Sequence, residues 1–373
     1  MGKIELDHTG SGSGVTLSSD GTDLLLDGTA IGGGGGADLY AANESSPTAQ
    51  PSATGGNAIA IGDSSTAAGA DGVAIGLQAF ARAQSALGLF GDAQSTESIC
   101  IGKGSAVSAD GAVQVGRNGY ATALDAVSLG RSRAGGGDSF AAVIDNNTSS
   151  YGATGSNSIA MGIQAKASSA RGVAIGGYAT SSSTSIALST GWNNLAVTAS
   201  GSNSVAIGGN TSATSPGSFA FGQQSSSAIR GKYAYAAGRF AANGDAQGGQ
   251  FILRCSTTDA TPTLLRTNPD PADSGNQIVA LSDTCIMFSG TLVAMQDGAQ
   301  DQGGWEIKGL LKNDGGTTTL VSSNIQTFAD GNGWTVGLTA DNTNNALAIT
   351  CTGESAHNIR WVANISTSEV TYA

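Results

Sequence analysis

The chain has 373 residues, of which 57 are glycine and only 12 % are charged, where ordinary soluble domains carry roughly 25 % charged residues. Six prolines and the lack of a Gly-X-Y period exclude collagen, and no apolar run approaches the roughly 18 residues of a membrane-spanning helix. A net charge of −12 argues against a nucleic-acid partner, which needs clustered Lys and Arg. What remains is an all-β chain built from small side chains.

Residues 1–56 hold short strand-like runs (Val15 to Leu17 and Asp23 to Leu26) between Gly, Ser and Asp turns, then the glycine run Gly32 to Gly36. They read as an extended attachment segment with no core of its own, ending in a flexible linker. No basic region followed by an apolar stretch opens the chain, so no secretion signal is visible. Gly33 to Tyr40 matches one copy of a calcium-binding nonapeptide, but such sites are assembled between tandem copies and this one stands alone.

Residues 57–244 repeat. The unit NAIAIG (Asn57 to Gly62) returns as GVAIG ending at Gly76, SICIG at Gly102, GAVQVG at Gly116, DAVSLG at Gly130, NSIAMG at Gly162, NSVAIG at Gly208 and GSFAFG at Gly222. The step from Gly62 to Gly76, Gly102 to Gly116, Gly116 to Gly130, Gly162 to Gly176 and Gly208 to Gly222 is 14 residues. A fixed short period signals stacked coils. The apolar pair (Val73 and Ile75, Val205 and Ile207) alternates, which predicts a strand with that pair buried. Small residues fall three and five places after the glycine (Ala79 and Ala81, Ala165 and Ala167), predicting a second short strand with a small inward face. The glycines suit corners that need positive φ. The residue between each apolar pair is small (Ala60, Ala74, Ala160, Ala206), leaving a smooth opposite face for packing against copies of the chain. A longer period of 46 residues carries insertions at Ile144 to Gly155 and Thr190 to Gly201, the second holding Trp192, Asn193 and Asn194. Insertions at one point of a repeat project from one face, often a binding face.

Residues 245–373 drop the repeat. Longer alternating runs separated by Asn, Asp and Gly clusters predict eight or nine antiparallel strands in a β-sandwich. This part holds 13 acidic and 5 basic residues, an acidity that serves solubility.

The repeat resembles the head repeat of trimeric autotransporter adhesins, a unit also used in bacteriophage tail fibres. The resemblance covers about Asn57 to Gly238 and implies a homotrimeric left-handed parallel β-roll of 14-residue coils. The last 129 residues resemble a β-sandwich found at the ends of phage tail-fibre proteins, through patterns such as WEIKG from Trp305, GWTV from Gly333 and IRWVA from Ile359. Together these imply a virion-borne, extracellular fibre. Its N-terminal segment would meet other tail or baseplate proteins, and a host cell-surface glycan or protein would be its receptor. An adhesin head fragment and a polysaccharide-degrading tailspike are the alternatives.

Chemistry is sparse, and no enzyme activity, cofactor or metal is expected. Glycoside hydrolysis needs two carboxylates facing each other across a groove, whereas Asp63, Asp71, Asp92, Glu97, Asp110 and Asp125 occur singly, mostly at turns. His8 and His357 are the only histidines and neither lies near a G-x-S-x-G elbow. Cys100, Cys255, Cys285 and Cys351 lack metal-ligand spacing and read as reduced core thiols. Trp305, Trp334 and Trp361 either pack a sandwich core, as alternation suggests, or stack on sugars. The receptor-contact candidates are Trp192, Asn193, Asn194, Trp305 and Trp334.

Overall fold

The computed structural model describes residues 49–142, 150–190, 195–298, 301–331 and 333–372, together with four short strands nearer the N-terminus. Those four, Ile4–Leu6, Val15–Ser19, Leu24–Leu26 and Thr29–Ala30, pair in sequence as an antiparallel meander. The glycine run and the nonapeptide match lie outside the described residues. No helix occurs among the residues described.

From Ser52 the chain winds as a parallel β-solenoid with two walls. One wall stacks 13 strands, from Ile59–Ile61 to Tyr233–Ala237, and the facing wall stacks 13 shorter ones, from Ser52–Ala53 to Ser226–Ser227. Each motif position lies on its counterpart in the next coil: Ile59 on Val73, Ala60 on Ala74, Ile61 on Ile75. The lengthened coils keep this register, with Phe140 on Ile159 and Ile186 on Val205. Residues 143–149 and 191–194, within the lengthened coils, lie outside the described residues.

The facing of the long-wall strands corrects the sequence expectation. Ala74, Cys100, Ala160, Ala174 and Ala206, the small residues between the apolar pairs, are the buried ones. The flanking Val, Ile and Leu side chains point out of the coil and stay half-exposed or exposed. On the facing wall Ala79, Ala81, Ala165 and Ala167 are buried as expected, so the apolar part of the interior is mostly alanine, with buried serines beside it. The cause is space. Two strands of two or three residues joined by tight turns bring the walls close enough that Cβ methyls fill the gap. An inward Ile would overpack it.

Where an inward residue grows, its neighbour shrinks. Gly91 lies against Cys100, so that a Cβ there would sit 2.6 Å from the sulfur, and Gly119 makes room for the buried Gln114. Gln114 Nε2 donates to the Gly130 carbonyl at 3.1 Å. Some interior hydroxyls find partners, as in the 2.8 Å contact between Ser128 Oγ and Ser132 Oγ, whereas those of Ser65, Thr211 and Ser225 are buried without one.

The motif glycines Gly62, Gly76, Gly102, Gly116, Gly162, Gly176, Gly208 and Gly222 have φ between 95° and 132°. They stack on one another: a Cβ on Gly162 would fall 2.9 Å from the Gly176 carbonyl carbon. Other corners use the left-handed region with non-glycine residues, among them Asn57, Asp71, Asn157 and Asn203. Asn and Asp tolerate that region best.

The terminal unit has nine strands: β1 (Ala246–Thr257), β2 (Thr263–Leu264), β3 (Ile278–Val279), β4 (Thr284–Gln296), β5 (Gln302–Asp314), β6 (Thr317–Asp330), β7 (Thr335–Asp341), β8 (Ala346–Thr352) and β9 (Ile359–Thr371). A large antiparallel sheet runs β1-β9-β4-β5-β6. A smaller one pairs β7 along the whole of β8, with β2 and β3 also hydrogen-bonded to β8. Between them lies one core, with Phe251, Phe288, Ile307 and Trp361 from the large sheet and Leu265, Ile278, Trp334 and Ile349 from the small sheet and its flanking segments. Strand β1 also pairs antiparallel with Tyr233–Ala237, so the long wall of the solenoid continues into the large sheet without a break.

The glycine stack gives a paired test. A Cβ on Gly208 would collide with the Gly222 carbonyl at a φ of 132°, so Gly208→Ala should lower stability by about 2–4 kcal/mol in urea unfolding. Gly217, with φ 64° and open space around it, occupies the corner that Asn203 takes one coil earlier, so Gly217→Asn should stay within about 0.5 kcal/mol.

Candidate functional site

The inverted facing of the long wall creates the most prominent surface of the molecule. Ile59, Met161, Ile175, Ile186, Phe219 and Phe221 point outward and are 38–44 % exposed. In-register pairing aligns them into one apolar ladder along 13 strands, about 60 Å at the ~4.8 Å strand spacing. Near its end Phe221 and Tyr235 stack with ring centroids 6.0 Å apart. The ladder continues onto the terminal unit, where Tyr233 opposes Gln250 and the outer face of the large sheet adds Ile252, Val362 and Val293. Isolated soluble chains rarely expose a contiguous apolar patch beyond a few hundred Å².

Two of the receptor-contact candidates lie elsewhere than a contact role requires. Trp305 is 3 % exposed and Trp334 2 %, both packed around Trp361 with ring centroids at 5.4 Å and 5.6 Å. Strand alternation turns them inward, so neither offers a ring face to a ligand; the core-packing alternative holds for all three. Trp361 Nε1 donates to Thr257 Oγ1 at 3.0 Å. Trp192, Asn193 and Asn194 lie outside the described residues.

Among the described residues no three His, Cys, Asp or Glu side chains are grouped as metal ligands. All four thiols are free. Burial pushes the Cys100 thiol up to about 11. Burial also raises Cys351, whose hydrogen bond with Cys255 draws the Cys255 thiol down. Coil carboxylates serve the stack: Asn57 Nδ2 donates to Asp71 Oδ1 at 3.1 Å, and Asp92 pairs with Arg82 at 2.7 Å.

Sequence reasoning missed the joint between shaft and terminal unit. Lys232 occupies the inward position held by Ser204 and Ser218 in the preceding coils, and its Nζ lies 2.6 Å from Glu369 Oε2 on β9, both side chains under 10 % exposed. Gln247 Nε2 donates to the same oxygen at 2.9 Å and Thr367 Oγ1 to Oε1 at 2.7 Å, so the carboxylate is fully engaged. The ammonium also sits 5.4 Å from the Phe251 ring centre. The legible signal was a lone lysine breaking a column of Ala, Gly and Ser. Beside it Asp245 accepts backbone N–H bonds from Phe240, Ala241 and Ala242 at 2.6–2.9 Å. Burial works to raise the Asp245 pKa, and those donors together with the Arg239 charge outweigh it, holding the carboxyl below its ordinary 3.8.

Comparison with known proteins adds the following. The YadA head domain repeat (2 copies) matches residues 53–79, 153–179 and 199–225. No curated protein matches the chain. Among solved structures, the tailspike protein gp49 from Acinetobacter baumannii bacteriophage Fri1, a capsular polysaccharide depolymerase, aligns at 8 % identity and TM-score 0.20, covering 78 % of this chain and 58 % of that one. The Acinetobacter baumannii phage AM24 tailspike protein aligns at 9 % identity and TM-score 0.20, covering 81 % and 63 %. This chain therefore spans about three-fifths of either tailspike structure.

Two measurements probe the joint. Lys232→Met strands Glu369 in a buried site and should cost about 3–5 kcal/mol, most of it restored in Lys232→Met/Glu369→Leu. Because the Asp245 pKa is depressed, its contribution is present above the ordinary value of 3.8 and lost as pH falls below it. The stability gap between wild type and Asp245→Asn should accordingly be widest at neutral pH and shrink below pH 3.8 in thermal melts.

Proposed function

We propose that the chain is a non-enzymatic homotrimeric fibre of a phage tail, which positions its terminal two-sheet unit against a host cell surface. The observation that carries this reading is the outward apolar ladder. A single chain leaves it in water on every coil, whereas a closed three-fold assembly buries it continuously. The interior adds little of its own, since each buried alanine contributes a small apolar area. The YadA head repeat, matched at three separated places, supports the same architecture. In this reading the N-terminal segment joins the other tail or baseplate proteins, the fibre works outside the cell, and three tips supply avidity that a weak single contact lacks.

The family match also favours a second reading, the head of a bacterial surface adhesin, which uses the same trimer for the same attachment. For a non-enzymatic role the support is that Asp71 and Asp92 are taken up in corner hydrogen bonds and an ion pair. New reducing ends from host capsule incubated with the protein would replace it with a depolymerase.

Light scattering of the full chain should give the mass of three chains. A stable single-chain mass would overturn the assembly. Phe219→Ser removes about 1.5–3 kcal/mol of burial per chain and should shift the mass toward smaller species at low concentration.

A further inference from the structure

The terminal unit is acidic, with 13 carboxylates against five basic residues between positions 245 and 373, yet three of those five stand together. Arg254 on β1 and Arg266 exchange both backbone hydrogen bonds: Arg254 N–H to the Arg266 carbonyl at 2.8 Å, and the reverse bond at 3.2 Å. They are thus directly opposite and share a face, an arrangement in which like charges repel. Arg360 on β9 pairs with Ser256, two residues along β1, and joins them on the outer face of the large sheet.

Among the described residues no carboxylate lies within ion-pair distance of any of the three. Arg266 Nη1 donates to the Asp270 backbone carbonyl, while its Nε is buried with no partner. Arg254, Arg266 and Arg360 line one cavity of about 400 Å³ with Ser256 and Asn268. A second cavity of about 510 Å³ shares Ser256 and Arg360 and adds Thr258, Gln296, Asn358 and the acidic Asp297. Gln296 Oε1 is likewise buried without a donor. The two cavities make one groove, cationic around the three arginines, whose other end carries hydroxyl and amide groups together with Met295 and the Asp297 carboxylate. The cluster lies beyond the end of the shaft: the shaft pairs with β1 only as far as Gln250, and Arg254 stands four residues further, about 13 Å along the strand, directly opposite Val362 at the far end of the apolar ladder.

We propose that this groove binds an anionic glycan, with Arg254, Arg266 and Arg360 clasping its carboxylate or phosphate. The choice of a glycan rests on the attachment reading; the anion site rests on the arginines alone. Guanidinium forks match both oxyanions in bidentate geometry. The bound anion relieves the cross-strand repulsion that the free protein carries.

The test is calorimetric titration of the full chain with three probes of equal length: oligogalacturonate, a phosphate-bearing oligomannoside and neutral maltooligosaccharide. One charged probe, whose identity names the group recognised, should bind, weakening as salt rises, and the neutral probe should not. Arg254→Gln and Arg360→Gln should each weaken binding roughly 10- to 100-fold, the effect of losing a hydrogen bond to a charged group. The light-scattering mass should stay that of wild type. Equal binding of charged and neutral probes, no binding of either charged probe, or wild-type affinity in the double variant overturns the site. Loss of the assembled mass in the double variant also overturns it, assigning the arginines to a subunit contact. A three-chain fibre that ignores the charged probes leaves the attachment reading standing, while a single-chain protein that binds oligogalacturonate removes the fibre and keeps the groove.

Discussion

The coil interior admits little beyond a methyl group, and that narrowness propagates through the whole molecule. With two walls this close, Ala74, Ala81, Ala160 and Ala167 fill the space between them. Larger apolar residues are left only the outer face. The same closeness stacks the motif glycines on each other's backbone, and it requires the exchanges in which Gly91 yields to Cys100 and Gly119 to Gln114. Alanine burial yields little per residue, so the in-register hydrogen-bond ladder must carry much of the stability of the coil.

The end of the stack solves a different problem. The last coil has no successor to cover it, so its inward column changes from serine to Lys232, whose charge is met by Glu369 from the final strand. First and last strands of the terminal unit, β1 and β9, are neighbours there, and β1 extends the long wall directly. The shaft and the large sheet therefore form one hydrogen-bonded surface, fastened at the joint by Asp245 and the Lys232–Glu369 pair. Beyond the width of the shaft the same sheet gains room for a second sheet, a real aromatic core around Trp361, and an outer face with its own polar features.

Much of this was legible in the sequence, for a physical reason: a solenoid is nearly one-dimensional, so its period states its topology. The register of Ile59 on Val73 follows directly from the 14-residue step, and Ala79 and Ala81 were correctly read as inward. Facing is not legible in the same way, because alternation identifies two faces and is silent about which is buried. Val73 and Ile75 look like core, and only the wall separation assigns that role to Ala74. Trp305 and Trp334 show the same ambiguity from the other side, since an alternating tryptophan suits a core or a sugar equally until the second sheet is seen to cover it. Lys232 was visible as an exception to its column, but its partner lies 137 residues away.

The sequence by itself determined what is local and repeated: the coil length, the turn residues, the glycine corners and the change of architecture near residue 245. Tertiary structure decided what depends on distances between segments far apart in the chain. It turned the apolar pairs outward because the walls are too close to hold them. It also brought Arg254, Arg266 and Arg360 together, because β1 pairs with β9 on one edge and with a returning loop on the other. Period is a property of neighbours along the chain; facing and charge clustering are properties of space.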